Sequence, residues 1–126
     1  MIGIDLIKTS RMERLLKRFG EKGLQKFLCE TEILLIKNFK TAAGFWAIKE
    51  AFSKAIGTGI GANCSFYDVR IYKDEKGAPH IALSKHLVES FKILRCSVSL
   101  THDGEYAVAV VHLEIESSPA DKIKQF

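Results

Sequence analysis

The stretch WAIKEAFSKAIGTGIG, from Trp46 to Gly61, sets Glu50 and Lys54 four residues apart on a segment otherwise suited to burial. At about 100° per residue, Phe45, Ile48, Phe52, Ala55 and Ile56 share one side of a helix, and Trp46, Glu50 and Lys54 fall roughly opposite. The plain reading is a solvated i,i+4 ion pair worth about 0.2–0.5 kcal/mol. Trp46 weakens that reading, because an indole one turn below Glu50 is costly in open solvent. Gly57, Gly59 and Gly61 follow at once. Glycines let backbone approach a ligand closely, but they also serve as a helix C-cap and a turn. Phosphate-cradling loops precede a helix, at its positive end. This run follows one, so a Walker-type loop is not supported.

Asp5 interrupts the apolar pattern of MIGIDLI. A carboxylate there must be paired, hydrogen-bonded or bound to a cation. It either meets a basic side chain at the strand end or serves as a ligand for a hard metal. Mg2+ takes one or two carboxylates and keeps phosphates and waters at its other positions, a role that suits Asp5 with Glu50. The four His and three Cys show no zinc-ligand spacing. His102 closes SVSLTH just before Asp103-Gly104 and is either a surface turn residue or a donor to a phosphate. No Gly-x-Ser-x-Gly elbow or other nucleophile signature is present, so no covalent enzyme intermediate is expected.

Positioning these groups takes a short list of elements. MIGIDLI reads as a strand with Ile2, Ile4 and Leu6 on one face and Gly3, Asp5 and Ile7 on the other. SRMERLLKRFG reads as a helix opened by a Ser10–Glu13 capping box and stopped by Gly20. Its apolar face holds Met12, Leu15, Leu16 and Phe19, beside a basic stripe of Arg11, Arg14 and Arg18. Short helices follow, broken near Cys29 to Thr31, and the Glu50 helix spans about Thr41 to Ile56. Beyond Gly61 the period becomes two. SFYDVRIYKD and APHIALS read as strands joined at Glu75-Lys76-Gly77, and SKHLVESFKIL as a short helix. RCSVSLT and YAVAVVHLEI read as a hairpin turned at Asp103-Gly104. Helices gather in the first half and strands in the second, so the fold class is α+β, helices packed on an antiparallel sheet. Residues 1–116 form the expected single domain, and 117–126 a polar, frayed tail.

The 126 residues, 47% hydrophobic and 27% charged, suit one ordinary globular domain. No apolar run is long enough to span a bilayer, and MIGIDLIKTS lacks a basic n-region. A cytoplasmic protein without a membrane role is expected, with Cys29, Cys64 and Cys96 reduced and mostly buried. The net charge of +4 favours an acidic partner or a phosphate-bearing ligand.

IGIDLI, KEAFSKAIGTGIG and SLTHDGEYAVAVV together resemble, in order and spacing, the three blocks of holo-acyl-carrier-protein synthases, the small bacterial 4′-phosphopantetheinyl transferases. The resemblance covers the chain to about Glu116, and the middle block is the most specific. It implies the 4′-phosphopantetheinyl transferase fold, with Asp5 and Glu50 holding Mg2+ against the coenzyme A pyrophosphate. Lys54 and His102 fall on phosphate contacts, and Gly57, Gly59 and Gly61 on the loop lining the coenzyme A cleft. The carrier-gripping basic residue of the first helix falls on Arg11, with Arg14 in the same stripe. One departure stands out: the family usually has Arg before the helix aromatic, where this chain has Phe45.

The implied reaction is Mg2+-dependent transfer of 4′-phosphopantetheine from coenzyme A to a serine of an apo acyl carrier protein, serving fatty acid synthesis. The resemblance also implies homotrimers with sites between subunits. Such chemistry rests on positioning and charge neutralisation, with the nucleophile supplied by the partner. The general base is either Glu50 or a metal-bound water. Glu32 has no assigned role. Two other classes stay open. A basic nucleic-acid module would need clustered basic and aromatic residues that the strands lack, so no nucleic acid is expected. A non-catalytic scaffold would reduce Glu50 and Lys54 to an ion pair.

Overall fold

The computed structural model describes residues 1–116 and 123–125. The chain begins with β1 (Ile2–Lys8), which runs directly into α1 (Thr9–Phe19). Two short helices, α2 (Glu21–Gln25) and α3 (Glu30–Ile33), lead to the long α4 (Phe39–Ala55). A 3-10 turn at Phe66–Asp68 precedes the hairpin of β2 (Val69–Lys73) and β3 (Pro79–Leu83). Then come α5 (Lys85–Phe91), β4 (Ile93–Asp103) and β5 (Tyr106–Ile115).

The antiparallel sheet has the order β1-β5-β4, and β2 and β3 form a separate two-stranded ribbon. In the sheet Asp5 stands opposite Ala109, and His102 opposite Ala107. Ile7, Ala107, Ala109, Val111 and Leu113 turn one face inward and join Ala47, Ile48, Ala51, Phe52 and Ala55 of α4 in the core. The contact between strand and helix is closest at Gly3. A Cβ there would overlap the carbonyl oxygen of Ala51 and stand 2.6 Å from the amide nitrogen of Ala55. Only glycine permits that approach.

The other face of the sheet is uncovered in the single chain. Ile2, Ile4 and Leu6 are 69%, 56% and 59% exposed. Val110 beside them is exposed as well. The apolar YAVAVVHL suggests a strand buried on both sides, yet β5 alternates, with only its helix-facing residues enclosed.

The α+β class and the helices-on-sheet architecture are as the sequence indicates. Several boundaries differ, each for a local reason. Helix α4 begins at Phe39 rather than Thr41, because the Asn38 side chain accepts from the amides of Lys40 (2.9 Å) and Thr41 (3.2 Å). Helix α1 has Lys8 as its N-cap and no Ser10–Glu13 box. Its entry is held instead by Thr9, whose amide donates to the carbonyl of Glu105 at 2.8 Å. The β4–β5 turn is Gly104-Glu105, since Asp103 is still paired with Tyr106, and Gly104 takes a positive φ of 56°. The expected 117–126 tail lies outside the described residues except for 123–125, which have no regular secondary structure.

Candidate active site between β1 and α4

The close approach at Gly3 sets Asp5, two residues further along β1, beside the outward stripe of α4. The Lys54 ammonium crosses to the strand. It donates to Asp5 Oδ1 at 2.9 Å and to the Ile4 carbonyl at 3.2 Å. Lys54 thus pairs with Asp5 and not with Glu50, its i,i+4 neighbour. Asp5 meets the basic side chain that a strand-end carboxylate needs.

Glu50 is half-buried, and its carboxylate accepts no hydrogen bond from the described residues. Burial first, and the nearby Asp5 charge second, push its pKa above the usual carboxylate range. The Lys54 and Arg11 charges pull the other way. Desolvation and a like charge both disfavour ionised Glu50, and a cation shared with Asp5 relieves both. The donor set is two carboxylates, since among the described residues no three His, Cys, Asp or Glu side chains cluster. That set fits a hard cation that completes its shell with phosphate oxygens and water, and so fits Mg2+.

Trp46, the costly aromatic, is housed. Its ring lies 4.8 Å from that of Phe66 and 5.2 Å from that of Phe27. Its outer face carries the Arg11 guanidinium, 5.9 Å from the ring centroid. Arg11 therefore stands at the edge of the carboxylate cluster, while Arg14 and Arg18 are exposed further along α1. Arg18 lies 5.0 Å over the Phe19 ring.

The glycine run caps the helix. The amides of Thr58 and Gly59 both donate to the Ser53 carbonyl at 3.1 Å. Gly57 and Gly59 hold φ of 82° and 66°, which L side chains rarely adopt. Gly61 bridges to Cys64. No atom lies within 4 Å of where Cβ atoms on these three glycines would stand, so the loop also leaves open space beside Lys54.

His102 is not part of the cluster in a single chain. It stands on β4, the opposite edge strand, two strand spacings or about 10 Å across the sheet from β1. Its Nε2 lies 3.1 Å from the Lys40 carbonyl. The ring covers Gly44, where a Cβ would come 3.3 Å from Nε2. Phe45 is fully buried, and the Lys73 ammonium lies 5.9 Å from its ring centroid. A cleft of about 600 Å3 lies elsewhere, between α2, α3 and Tyr67.

A second ion pair went unread in the sequence. Lys49 and Glu32 are fully buried and meet at 2.8 Å. Lys49 also donates to the carbonyls of Phe27 (2.7 Å) and Phe66 (2.9 Å). Glu32 accepts from the amides of Cys29 (2.9 Å) and Ile71 (3.0 Å). The available signal was spacing: Lys49 follows Phe45 by four and precedes Phe52 by three, which puts it on the core stripe. The cysteines are free, but only Cys64 is buried; Cys29 and Cys96 are half-buried.

The 4′-phosphopantetheinyl transferase superfamily model matches residues 1–111. The holo-[acyl-carrier-protein] synthase of Sulfurimonas denitrificans is 58% identical over 123 residues, covering 98% of this chain and 100% of that protein. The chain belongs to the holo-[acyl-carrier-protein] synthases. The Nautilia profundicola synthase is 51% identical over 113 residues, 90% of this chain and 98% of its own. Among solved structures, the Helicobacter pylori synthase in complex with coenzyme A matches with a TM-score of 0.87 at 45% identity, covering 90% of this chain and 100% of that one. The Bacillus anthracis synthase in complex with CoA (3′,5′-ADP) matches with a TM-score of 0.76 at 36% identity, covering 91% and 96%. Both agree with the synthase fold expected from the three sequence blocks.

Proposed function

We propose that this chain is a cytoplasmic holo-[acyl-carrier-protein] synthase of fatty acid synthesis. It moves 4′-phosphopantetheine from coenzyme A to a serine of an apo acyl carrier protein and releases adenosine 3′,5′-bisphosphate. Residues 1–116 are its catalytic unit. The observation that carries the reading is the half-buried Glu50, without a hydrogen-bond partner among the described residues, beside Asp5 and Lys54 in a chain 58% identical to a synthase.

Asp5 and Glu50 would hold Mg2+, which when bound supplies charge neutralisation at the phosphate oxygens. Lys54 has three donors, of which the strand uses two. Its exposed ammonium is free to turn to the leaving phosphate and neutralise charge there. The glycine loop Gly57, Gly59 and Gly61 gives the coenzyme a backbone surface with no side chains in the way. Arg11 and Arg14 face solvent and would meet the acidic carrier. Glu50 remains the candidate base within the chain.

The assembly is a homotrimer in this reading. Two observations support it: the uncovered apolar face of Ile2, Ile4, Leu6 and Val110, and the distance between His102 and Asp5. A fully built site then takes His102 from a neighbouring copy, as a ligand for a coenzyme A phosphate. The test is intact-mass analysis of apo acyl carrier protein after incubation with this protein, coenzyme A and Mg2+. A mass increase of one phosphopantetheine is expected. Unchanged mass across several carriers would sink the proposal.

A further inference from the structure

The buried Lys49–Glu32 pair touches none of the groups assigned to the reaction, yet it is wired to them. The two carbonyls that Lys49 holds belong to Phe27 and Phe66. The rings of these same residues enclose Trp46, at 5.2 and 4.8 Å. They also meet each other at 6.0 Å. The outer face of that indole is what Arg11 rests on, at 5.9 Å. Arg11 makes no ion pair or side-chain hydrogen bond among the described residues, so the indole is its one specific contact. Phe27 and Phe66 come from separate loops, one after α2 and one before β2. The Tyr67 hydroxyl donates to the Gln25 carbonyl and ties the two segments to each other, but among the described residues only the Lys49 ammonium ties both Phe27 and Phe66 to α4.

We propose that Lys49 is a positioning residue. Anchored by Glu32, it clamps Phe27 and Phe66 around Trp46 and so holds Arg11 where the carrier docks. This rests on the synthase reading for the meaning of carrier docking. The clamp itself is independent of it. A buried cation with every donor used holds its neighbours within hydrogen-bond tolerance, which flexible apolar packing does not. A cation over an indole face is held within about 6 Å of the centroid, so displacing the indole releases it.

The test replaces both charges at once. Lys49→Met with Glu32→Gln keeps side-chain size and leaves no unpaired buried charge, a change that often preserves stability. Trp46 is the only tryptophan, so its emission and acrylamide quenching report the clamp directly. We expect a cooperatively folded protein with quenching raised about twofold or more. The carrier KM should rise about fivefold or more, with the coenzyme A KM within about twofold of wild type. In an Arg11→Ala background the same pair of changes should leave the carrier KM unmoved, because its effect passes through Arg11. Glu32→Asp alone, which keeps both charges but shortens the anchor by one methylene, should shift both readouts the same way by less, and it decides the matter if the double change prevents folding. Unchanged Trp46 quenching in a folded variant overturns the proposal. So does a carrier KM effect that simply adds to that of Arg11→Ala. If no carrier is modified at all, the synthase reading has failed, whereas Trp46 quenching still tests the clamp.

Discussion

Two of the three lysines on helix α4 stand five residues apart, and each meets a carboxylate at almost the same distance: Lys49–Glu32 at 2.8 Å and Lys54–Asp5 at 2.9 Å. Their surroundings are opposite. The Lys49 and Glu32 side chains are 0% exposed, while Lys54 is 51% and Asp5 13% exposed. Every donor on Lys49 is used, by Glu32, Phe27 and Phe66. The outer pair keeps a spare donor and lies beside Glu50, whose carboxylate has no hydrogen-bond partner among the described residues. An exposed pair contributes about 0.2–1 kcal/mol and exchanges easily; a buried one, once broken, strands a charge in low dielectric. One contact geometry therefore serves two ends. The closed pair holds architecture, and the open pair keeps the spare donor that the proposed phosphate contact needs.

The sharpest way to break this comparison is at the carboxylates of the open end. Asp5→Ala and Glu50→Gln should each lower transfer by about 10³-fold or more and leave the melting transition in place. EDTA should abolish transfer reversibly, and Mn2+ should restore part of it, since both metals favour oxygen ligands. Full activity in EDTA would remove the metal from the mechanism.

Next come the lysines themselves. Lys54→Met should cut turnover by about 10²–10³-fold with little change in stability. Lys49→Met alone should do the reverse in kind, costing about 3–5 kcal/mol of stability by leaving Glu32 buried and unpaired. Denaturant melts and initial rates on both variants separate the two. A Lys49→Met protein as stable as wild type would erase the distinction drawn between the pairs.

A smaller effect is expected at the rim. Arg11→Glu and Arg14→Glu should slow transfer about tenfold at low salt, through repulsion of an acidic carrier. Added salt should close the gap as the Debye length falls to about 8 Å. A charge-reversed Arg11 with an unaltered carrier KM would place docking elsewhere. Smallest of all is His102→Ala, expected to raise the coenzyme A KM a few-fold with turnover nearly constant, the pattern of uniform binding. Dephospho-coenzyme A, which lacks the 3′-phosphate, should be indifferent to the change. An equal loss with both substrates would remove His102 from the 3′-phosphate.

The convergence of Asp5 with the Glu50 stripe was legible because both rest on local periodicity. Strand alternation put Asp5 on the face of Gly3 and Ile7, and helical spacing put Glu50 and Lys54 away from Phe45 and Phe52. Pairings that cross the chain were not legible. The partner of Lys54 lies 49 residues away, so the i,i+4 rule named Glu50 instead. Glu32 and Lys49 are 17 apart in different elements, and no local pattern links them. The hairpin turn slipped by one residue because its register follows burial of Ala107 and Ala109, not the preference of the Asp-Gly dipeptide. His102 could be placed on a strand but not on a side of α4, which only packing decides.

At Gly3, two backbones meet with no side chain between them. Side chains yield by changing rotamer; peptide groups already in contact have no such freedom. The seam therefore acts as the fixed jaw of a caliper, with Asp5 and Glu50 mounted on its two arms. If Asp5 and Glu50 hold the metal as proposed, a jaw that cannot relax would gauge ionic radius. Mg2+ demands oxygens at about 2.0–2.1 Å and Ca2+ at about 2.3–2.6 Å. Gly3→Ala would force the arms apart, and its signature would be a blunted preference for the smaller ion, read as the ratio of rates in Mg2+ alone and in Mg2+ with competing Ca2+.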